Sequence, residues 1–352
     1  MRITSVGRAL PPHHYDQETL ISAFRAQWGA RHHNIERLVA LHRNVLVGGR
    51  NLALPMEDYA KLESFGDAND AWIRVALDVG EAAIEDALEK SGLTAGEVDS
   101  LIFVSVTGIA TPSIDARLIN RMGLSPNTRR LPLFGLGCVA GAAGISRSFD
   151  QVRSHPGSVC VLLSVELCSL TLQRDDLSVP NLISSGLFGD GAAAVVMVGE
   201  DHPLAKASSG PRVLSTRSVF YPDTERVMGW DISERGFKVI LSADVPGIAA
   251  ENLPRDVDQF LSDHQLKRQD IHSWICHPGG PKVLEALQSG LDLPEGALDL
   301  TWKSLNEVGN LSSSSVLMVL GDTLDTEPPP GSYGLLLAMG PGFCCELVLL
   351  QW

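Results

Sequence analysis

Apolar residues recur at helical spacing through AWIRVALDVGEAAIEDALEKSG, from about Asp70, and stop at Gly92, which predicts a helix closed by a C-terminal glycine. Short, nearly continuous apolar runs follow: DSLIFVSVTG (99–108), LPLFGLG (131–137), VCVLLSVE (159–166) and GAAAVVMVG (191–199). Such runs predict strands covered on both faces, and their alternation with helical stretches, one of them starting at Cys138, predicts an α/β fold. Residues 1–65 read as a strand, a helix and a long connection, and they hold His13, His14, His32, His33 and His42.

The second half repeats this grammar. LKRQDIHSWICHPGG (266–280) echoes LTAGEVDSLIFVSVTG (93–108), each with an acidic residue and then an apolar strand ending in glycine. Ile102 and Cys138 are 36 residues apart, Ile275 and Asn310 are 35 apart, and both endpoints open a run of tiny residues, VAGAAG and LSSSS. Two related halves are therefore predicted, 1–210 and 211–352, with their small-residue helices packed face to face. Composition shifts to polar, Gly- and Pro-containing sequence around 202–215.

Composition narrows the function. The chain has 352 residues, 44% hydrophobic and 20% charged, enough for two domains or one large α/β unit and unlike a disordered chain. A formal net charge of −14 disfavours nucleic acid as a partner. No apolar stretch approaches the ~18 residues of a membrane span, and MRITSVGRALPP has no signal-peptide core. Six cysteines without CxxC spacing sit mostly in apolar runs, as reduced buried thiols do, so a cytoplasmic enzyme is expected.

Cys138 is the sharpest chemical feature: it follows Leu-Gly at a strand end and opens a helix, where the dipole would favour a thiolate. Two rival motifs overlap it. Gly135-Leu-Gly137-Cys-Val-Ala140 matches a dinucleotide fingerprint with Glu166 as ribose acid, which would make a nicotinamide-dependent dehydrogenase, but Glu166 lies 31 residues beyond Gly135 instead of ~20. A hydrolase nucleophile elbow needs glycines two before and two after the nucleophile, where Leu136 and Ala140 stand. His277 ends an apolar strand before Pro-Gly-Gly-Pro and is the best-placed proton acceptor, or else a loop cap. Asn310 reads equally as an ordinary helix N-cap or as a catalytic amide, which the repeat sets opposite Cys138. Arg43 and Arg50 in LHRNVLVGGRNL are candidate cations for an anionic ligand.

FGLGCVAGAAG (134–144), GLFGDGAAAVV (186–196), DVPG (244–247), HPGGPKVLEAL (277–287), GNLSSSSVL (309–317) and GPG (340–342) together resemble the type III polyketide synthases, the chalcone synthase-like branch of the thiolase superfamily. The resemblance implies a five-layered αβαβα fold, a homodimer, and a Cys138–His277–Asn310 triad working on coenzyme A thioesters without metal or redox cofactor. It places a gating phenylalanine at Phe188 and cavity-shaping positions near Thr111, Cys168 and Thr171. Arg43 and Arg50 would then meet the coenzyme A phosphates. Val239 and Ala243 stand where plant members carry phenylalanine and lysine, and Ala338-Met339 replace the usual Gly-Phe before Gly-Pro-Gly. The small Val239 suggests a medium- or long-chain acyl-CoA starter, malonyl-CoA extension, and an alkylpyrone or resorcinol product. A ketoacyl synthase of the third type, with one condensation on a carrier protein, shares the triad, and a non-catalytic interaction module would leave Cys138 inert.

Overall fold

The computed structural model describes residues 1–29 and 35–352, so His32 and His33 fall outside the described residues. Its main sheet has nine strands, in the order Ile271–Cys276, Tyr333–Gly340, Cys344–Gln351, Arg212–Phe220, Arg2–Ala9, Asp190–Val198, Val159–Leu167, Ser100–Val104 and Arg129–Leu133. Arg212–Phe220 and Arg2–Ala9 meet through a single residue pair, Arg2 with Arg212, which divides the sheet into two blocks. From that seam outward the first block pairs antiparallel, antiparallel, then parallel, and so does the second. The internal repeat is thus real at the level of strand order. The first block adds one parallel edge strand, Arg129–Leu133.

Alternate residues along each strand enter different cores. Val159, Val161, Leu163 and Val165 pack outward with Ala76, Ala83 and Ile84 of the helix Phe65–Ser91, whereas Cys160 and Leu162 face inward. In the second block Leu335 and Leu337 pack outward with Phe260, Leu284 and Leu305 of the helices Val245–Asp263, Pro281–Gly290 and Asp299–Val308. Leu336 and Ala338 join the inward core together with Ile145 and Val316 of the helices Ala140–Ser154 and Ser315–Asp325. Those two helices form a middle layer between the sheet blocks, which gives the αβαβα, thiolase-like stacking. Coverage on both faces is why strands such as Val159–Leu167 and Asp190–Val198 read as continuous apolar runs, whereas the run at 131–137 begins in the exposed edge strand Arg129–Leu133.

The middle helices approach closely at Gly141, where a Cβ would lie 2.2 Å from the Ser313 carbonyl oxygen, so no side chain is tolerated there. Gly92 closes the long helix in the left-handed conformation (φ +67°), as predicted, but that helix starts at Phe65, capped reciprocally by Ser64 and Asp67. The segment read as one helix and a connection holds two helices, Gln17–Trp28 and Ile35–Asn44, and a hairpin of His13–Asp16 with Gly49–Leu52. Four-residue strands paired across the 32 positions between Asp16 and Gly49 leave no local periodicity to read. Among the described residues no helix is long and apolar enough to cross a membrane, and all six cysteines are free.

Candidate active site

After the edge strand Arg129–Leu133 the chain turns through Gly135 and Gly137, both at positive φ, into a 3-10 turn at Gly137–Val139 that carries Cys138. A Cβ on Gly137 would sit 2.6 Å from Pro341 Cδ, and one on Gly340 would sit 2.6 Å from the Val139 nitrogen. These glycines therefore clamp the Cys138 turn onto the end of Tyr333–Gly340. The dinucleotide reading is corrected on that geometry: Gly137 is spent on contact with Pro341, and Glu166 is fully buried. The regular helix begins only at Ala140.

Cys138 is 6% exposed, and its Sγ lies 3.6 Å from Ser312 Oγ. Burial pushes the thiol up to about 12; the Ser312 contact opposes this and the Glu166 carboxyl reinforces it. The expected lowering of the thiol by the helix start and His277 is thus not what the free protein shows, because desolvation outweighs a short 3-10 turn. His277 follows the strand Ile271–Cys276, its N–H donates to the Leu337 carbonyl, and its Nδ1 is buried without a partner among the described residues. Burial lowers the imidazole to about 4, so thiol and imidazole are both neutral at pH 7.

Asn310 is not a helix cap. Its N–H donates to the Leu187 carbonyl, its own carbonyl accepts from Gly189, and this bridge ties it to Phe188. Its Oδ1 accepts the Ser312 N–H at 2.8 Å, holding Ser312 at φ +47° and leaving the amide Nδ2 as the donor the side chain can present. The 3-10 turn Ser312–Ser314 and the helix Ser315–Asp325 follow. Cys138, Ser312 and Asn310 are so joined in one chain of contacts.

Cys138 lines a cavity of about 150 Å³ together with Cys168, Thr171, Phe188 and Val239, four of the positions singled out in the sequence. It adjoins a larger vestibule of about 1210 Å³ through shared walls that include Tyr59, Thr107, Ser169 and Thr171. Within one chain Thr111 is exposed and lines neither space, and Val106 and Thr107 stand in the wall there. Val239 pairs with Trp230 across the hairpin of Met228–Ser233 and Gly236–Leu241. Trp230 also lines the cavity, and its indole N–H donates to the Val106 carbonyl at 3.1 Å. A small side chain and a large ring thus stand side by side in the cavity wall.

Arg50 is corrected as a phosphate ligand, because the fold buries it. Arg50 is 1% exposed and lines the inner cavity, its guanidinium donating to the carbonyls of Ser185 and Gly186. Arg43 is exposed and gives both of its 2.9 Å bonds to Glu18. Sequence reasoning missed the buried carboxyl beneath the site. Glu166 accepts from Val106 N–H at 3.1 Å, from Thr107 Oγ1 at 2.9 Å and from Ser313 Oγ, and burial raises it to about 7. Its signal was a carboxylate on the inward face of an otherwise apolar strand.

The chain resembles known proteins along its whole length. Residues 1–202 match the family model for the N-terminal domain of chalcone and stilbene synthases, and residues 212–352 match that for the C-terminal domain. A 1,3,6,8-tetrahydroxynaphthalene synthase of Streptomyces peucetius subsp. caesius is 51% identical over 99% of this chain and 93% of its own. A putative chalcone synthase of Bacillus subtilis (strain 168) is 36% identical over 99% and 98%. The crystal structure of a bacterial type III polyketide synthase, the 1,3,6,8-tetrahydroxynaphthalene synthase of Streptomyces coelicolor A3(2), superposes with a TM-score of 0.94 at 32% identity, covering 100% of this chain and 99% of that one. With a thiolase-like fold and these likenesses over both halves, the chain belongs to the chalcone and stilbene synthase family and is a type III polyketide synthase.

Proposed function

We propose that this enzyme builds its product from malonyl-CoA alone, as starter and extender, and closes the chain to a polyhydroxylated naphthalene. The observation that supports the starter reading is Trp230, paired with Val239 and lining the cavity beside it, a large ring where the small Val239 alone would leave room for an alkyl tail. The likeness to two enzymes named for 1,3,6,8-tetrahydroxynaphthalene supports it. The ten ring carbons of that product are five two-carbon units, the yield of decarboxylated malonyl groups with no other acyl source.

In this reading Cys138 Sγ attacks the malonyl thioester carbonyl as its proton passes to the neutral His277, and the departing coenzyme A thiolate takes that proton back. A second malonyl-CoA loses carbon dioxide, and N–H donors of His277 and Asn310 Nδ2 hold the enolate oxygen that develops. The enolate carbon attacks the Cys138 thioester and expels the sulfur. The lengthened chain, now on coenzyme A, reloads Cys138, and the cycle repeats. Phe188, tied to Asn310 through the backbone, stands where it limits what passes between the thioester and the cavity.

We further propose a homodimer formed through the edge strand Arg129–Leu133, which has a sheet partner on one side only and exposes Leu131 (43%) beside Phe134 (49%). Light scattering on the Leu131→Lys protein should show monomer where the parent shows dimer.

Incubation with malonyl-CoA alone, and with added acetyl-, hexanoyl-, dodecanoyl- or palmitoyl-CoA, followed by mass spectrometry, tests the reading. A naphthalene polyol formed without added starter supports it. An acyl-dependent pyrone with affinity rising along the chain-length series overturns it in favour of an alkyl tunnel.

A further inference from the structure

The inner cavity at Cys138 shares walls with the vestibule, so a chain growing on Cys138 has a way from one into the other. At the neck Tyr59, Thr107, Ser169 and Thr171, each carrying a hydroxyl, line both spaces. Thr107 and Thr171 have acceptors inside the protein, Glu166 Oε2 at 2.9 Å and the Cys168 carbonyl at 2.7 Å. Tyr59 is different: its hydroxyl meets Ser169 Oγ, and Ser169 Oγ in turn donates to the buried Asp190 carboxylate. The Ser169 N–H at 2.8 Å and the Ala53 N–H at 2.6 Å fix that carboxylate.

We propose that Tyr59, Ser169 and Asp190 form a proton relay that opens on the neck and completes ring closure of the polyketide. The proposal rests on the malonyl-primed reading above. With Asp190 ionised, Ser169 donates to it and Tyr59 donates to Ser169, so every proton in the row points inward. With Asp190 protonated the row reverses, and the Tyr59 proton points into the neck. Burial raises the Asp190 carboxyl to about 6, against its bonds from Ser169 and Ala53 and the charge of Arg50, so both states are accessible near neutral pH.

In the closing step an enol carbon of the chain attacks a ketone carbon, and the enol hydroxyl gives its proton to solvent in the vestibule. The new C–C bond uses the enol π electrons, and the carbonyl π pair moves onto oxygen, which takes the Tyr59 proton. Tyr59 recovers one from Ser169, Ser169 from Asp190, and the Asp190 carboxylate takes one back from solvent. No oxidant or further reactant is needed.

The test is product analysis of Tyr59→Phe and of Ser169→Ala, which leaves the Tyr59 hydroxyl in place, with malonyl-CoA alone, in H2O and in D2O. The naphthalene share of total product should fall about tenfold or more in each variant, with the lost carbon recovered as lactones of the uncyclised chain. D2O should lower that share for the parent and leave it unmoved in Tyr59→Phe. A share unchanged in either variant, at whatever total rate, overturns the relay, as does a share in the parent that D2O does not move. If one variant yields no product, the other decides. A parent enzyme that makes no naphthalene overturns the starter reading and the relay with it, whereas naphthalene from the parent with unaltered shares in the variants overturns the relay alone.

Discussion

Cys138 Sγ lies 3.6 Å from Ser312 Oγ, and Ser312 is held by its own N–H on the Asn310 side-chain oxygen at 2.8 Å. Through this arrangement a residue at the end of the first sheet block is tuned by a turn of the second. Burial raises the thiol to about 12 even with the Ser312 contact opposing it. Alkylation of Cys138 by iodoacetamide in the free enzyme should therefore be slow at pH 7 and still rising at pH 10. In Ser312→Ala the whole profile should move to higher pH. A thiol alkylated rapidly at neutral pH would mean that thiolate and imidazolium pair before substrate arrives.

Cys138→Ala should abolish acyl transfer and leave the fold intact, since alanine fits among Gly137, Val139 and Ala140. Cys138→Gln should retain malonyl-CoA decarboxylation, because the donors of His277 and Asn310 remain. Release of labelled carbon dioxide, measured beside polyketide formation, separates the two reactions. Polyketide from the alanine variant would refute the nucleophile.

Asn310→Asp keeps the oxygen that holds the Ser312 N–H and removes the Nδ2 donor. Decarboxylation should fall by roughly 10²–10³, the usual cost of one oxyanion donor, while acyl loading of Cys138 persists. Equal loss of both partial reactions would show that the amide serves the turn rather than the enolate.

Glu166 is fully buried and titrates at about 7 in the folded protein, against 4.5 when unperturbed, with burial as the main cause. The fold favours its acid form, so that stabilisation is complete below pH 4.5 and is lost as pH rises through 7. Glu166→Gln removes this titration. Between pH 5 and pH 8 the parent should lose up to about 3 kcal/mol more than the variant in urea unfolding. All other titrations are common to both proteins, so equal pH dependence would remove Glu166 as a titrating group in this range.

Trp230→Ala should reopen the space beside Val239. Acyl-CoA starters should then compete with malonyl-CoA, with apparent affinity rising about fourfold per methylene, the equivalent of ~0.8 kcal/mol, until the new space is filled. Competition assays with butyryl-, hexanoyl- and octanoyl-CoA measure this. A variant indifferent to chain length would show that the ring does not exclude the alkyl chain.

Much of the fold was legible because its causes are local. Buried strands such as Val159–Leu167 are continuous apolar runs, Gly92 ends a helix by its left-handed conformation, and the repeat fixes equivalent places for Cys138 and Asn310 at 36 and 35 residues from matching strand positions. Motifs around Cys138, His277 and Asn310 carried the family resemblance for the same reason: each is a short run whose glycines and small residues are needed where they stand. What the sequence could not decide were quantities set by neighbours distant along the chain. The ionisation of Cys138 depends on burial and on Ser312, 174 residues away. The wall beside Val239 includes Trp230, its partner across a hairpin, which no reading of Val239 alone could supply. Arg50 looked like a surface cation because arginines usually are, yet the tertiary fold buries it against the carbonyls of Ser185 and Gly186. Sequence thus determined most of the elements and singled out the titratable groups of the candidate site, whereas desolvation and cross-strand packing, which exist only in the assembled layers, decided their charge states and the shape of the space before them.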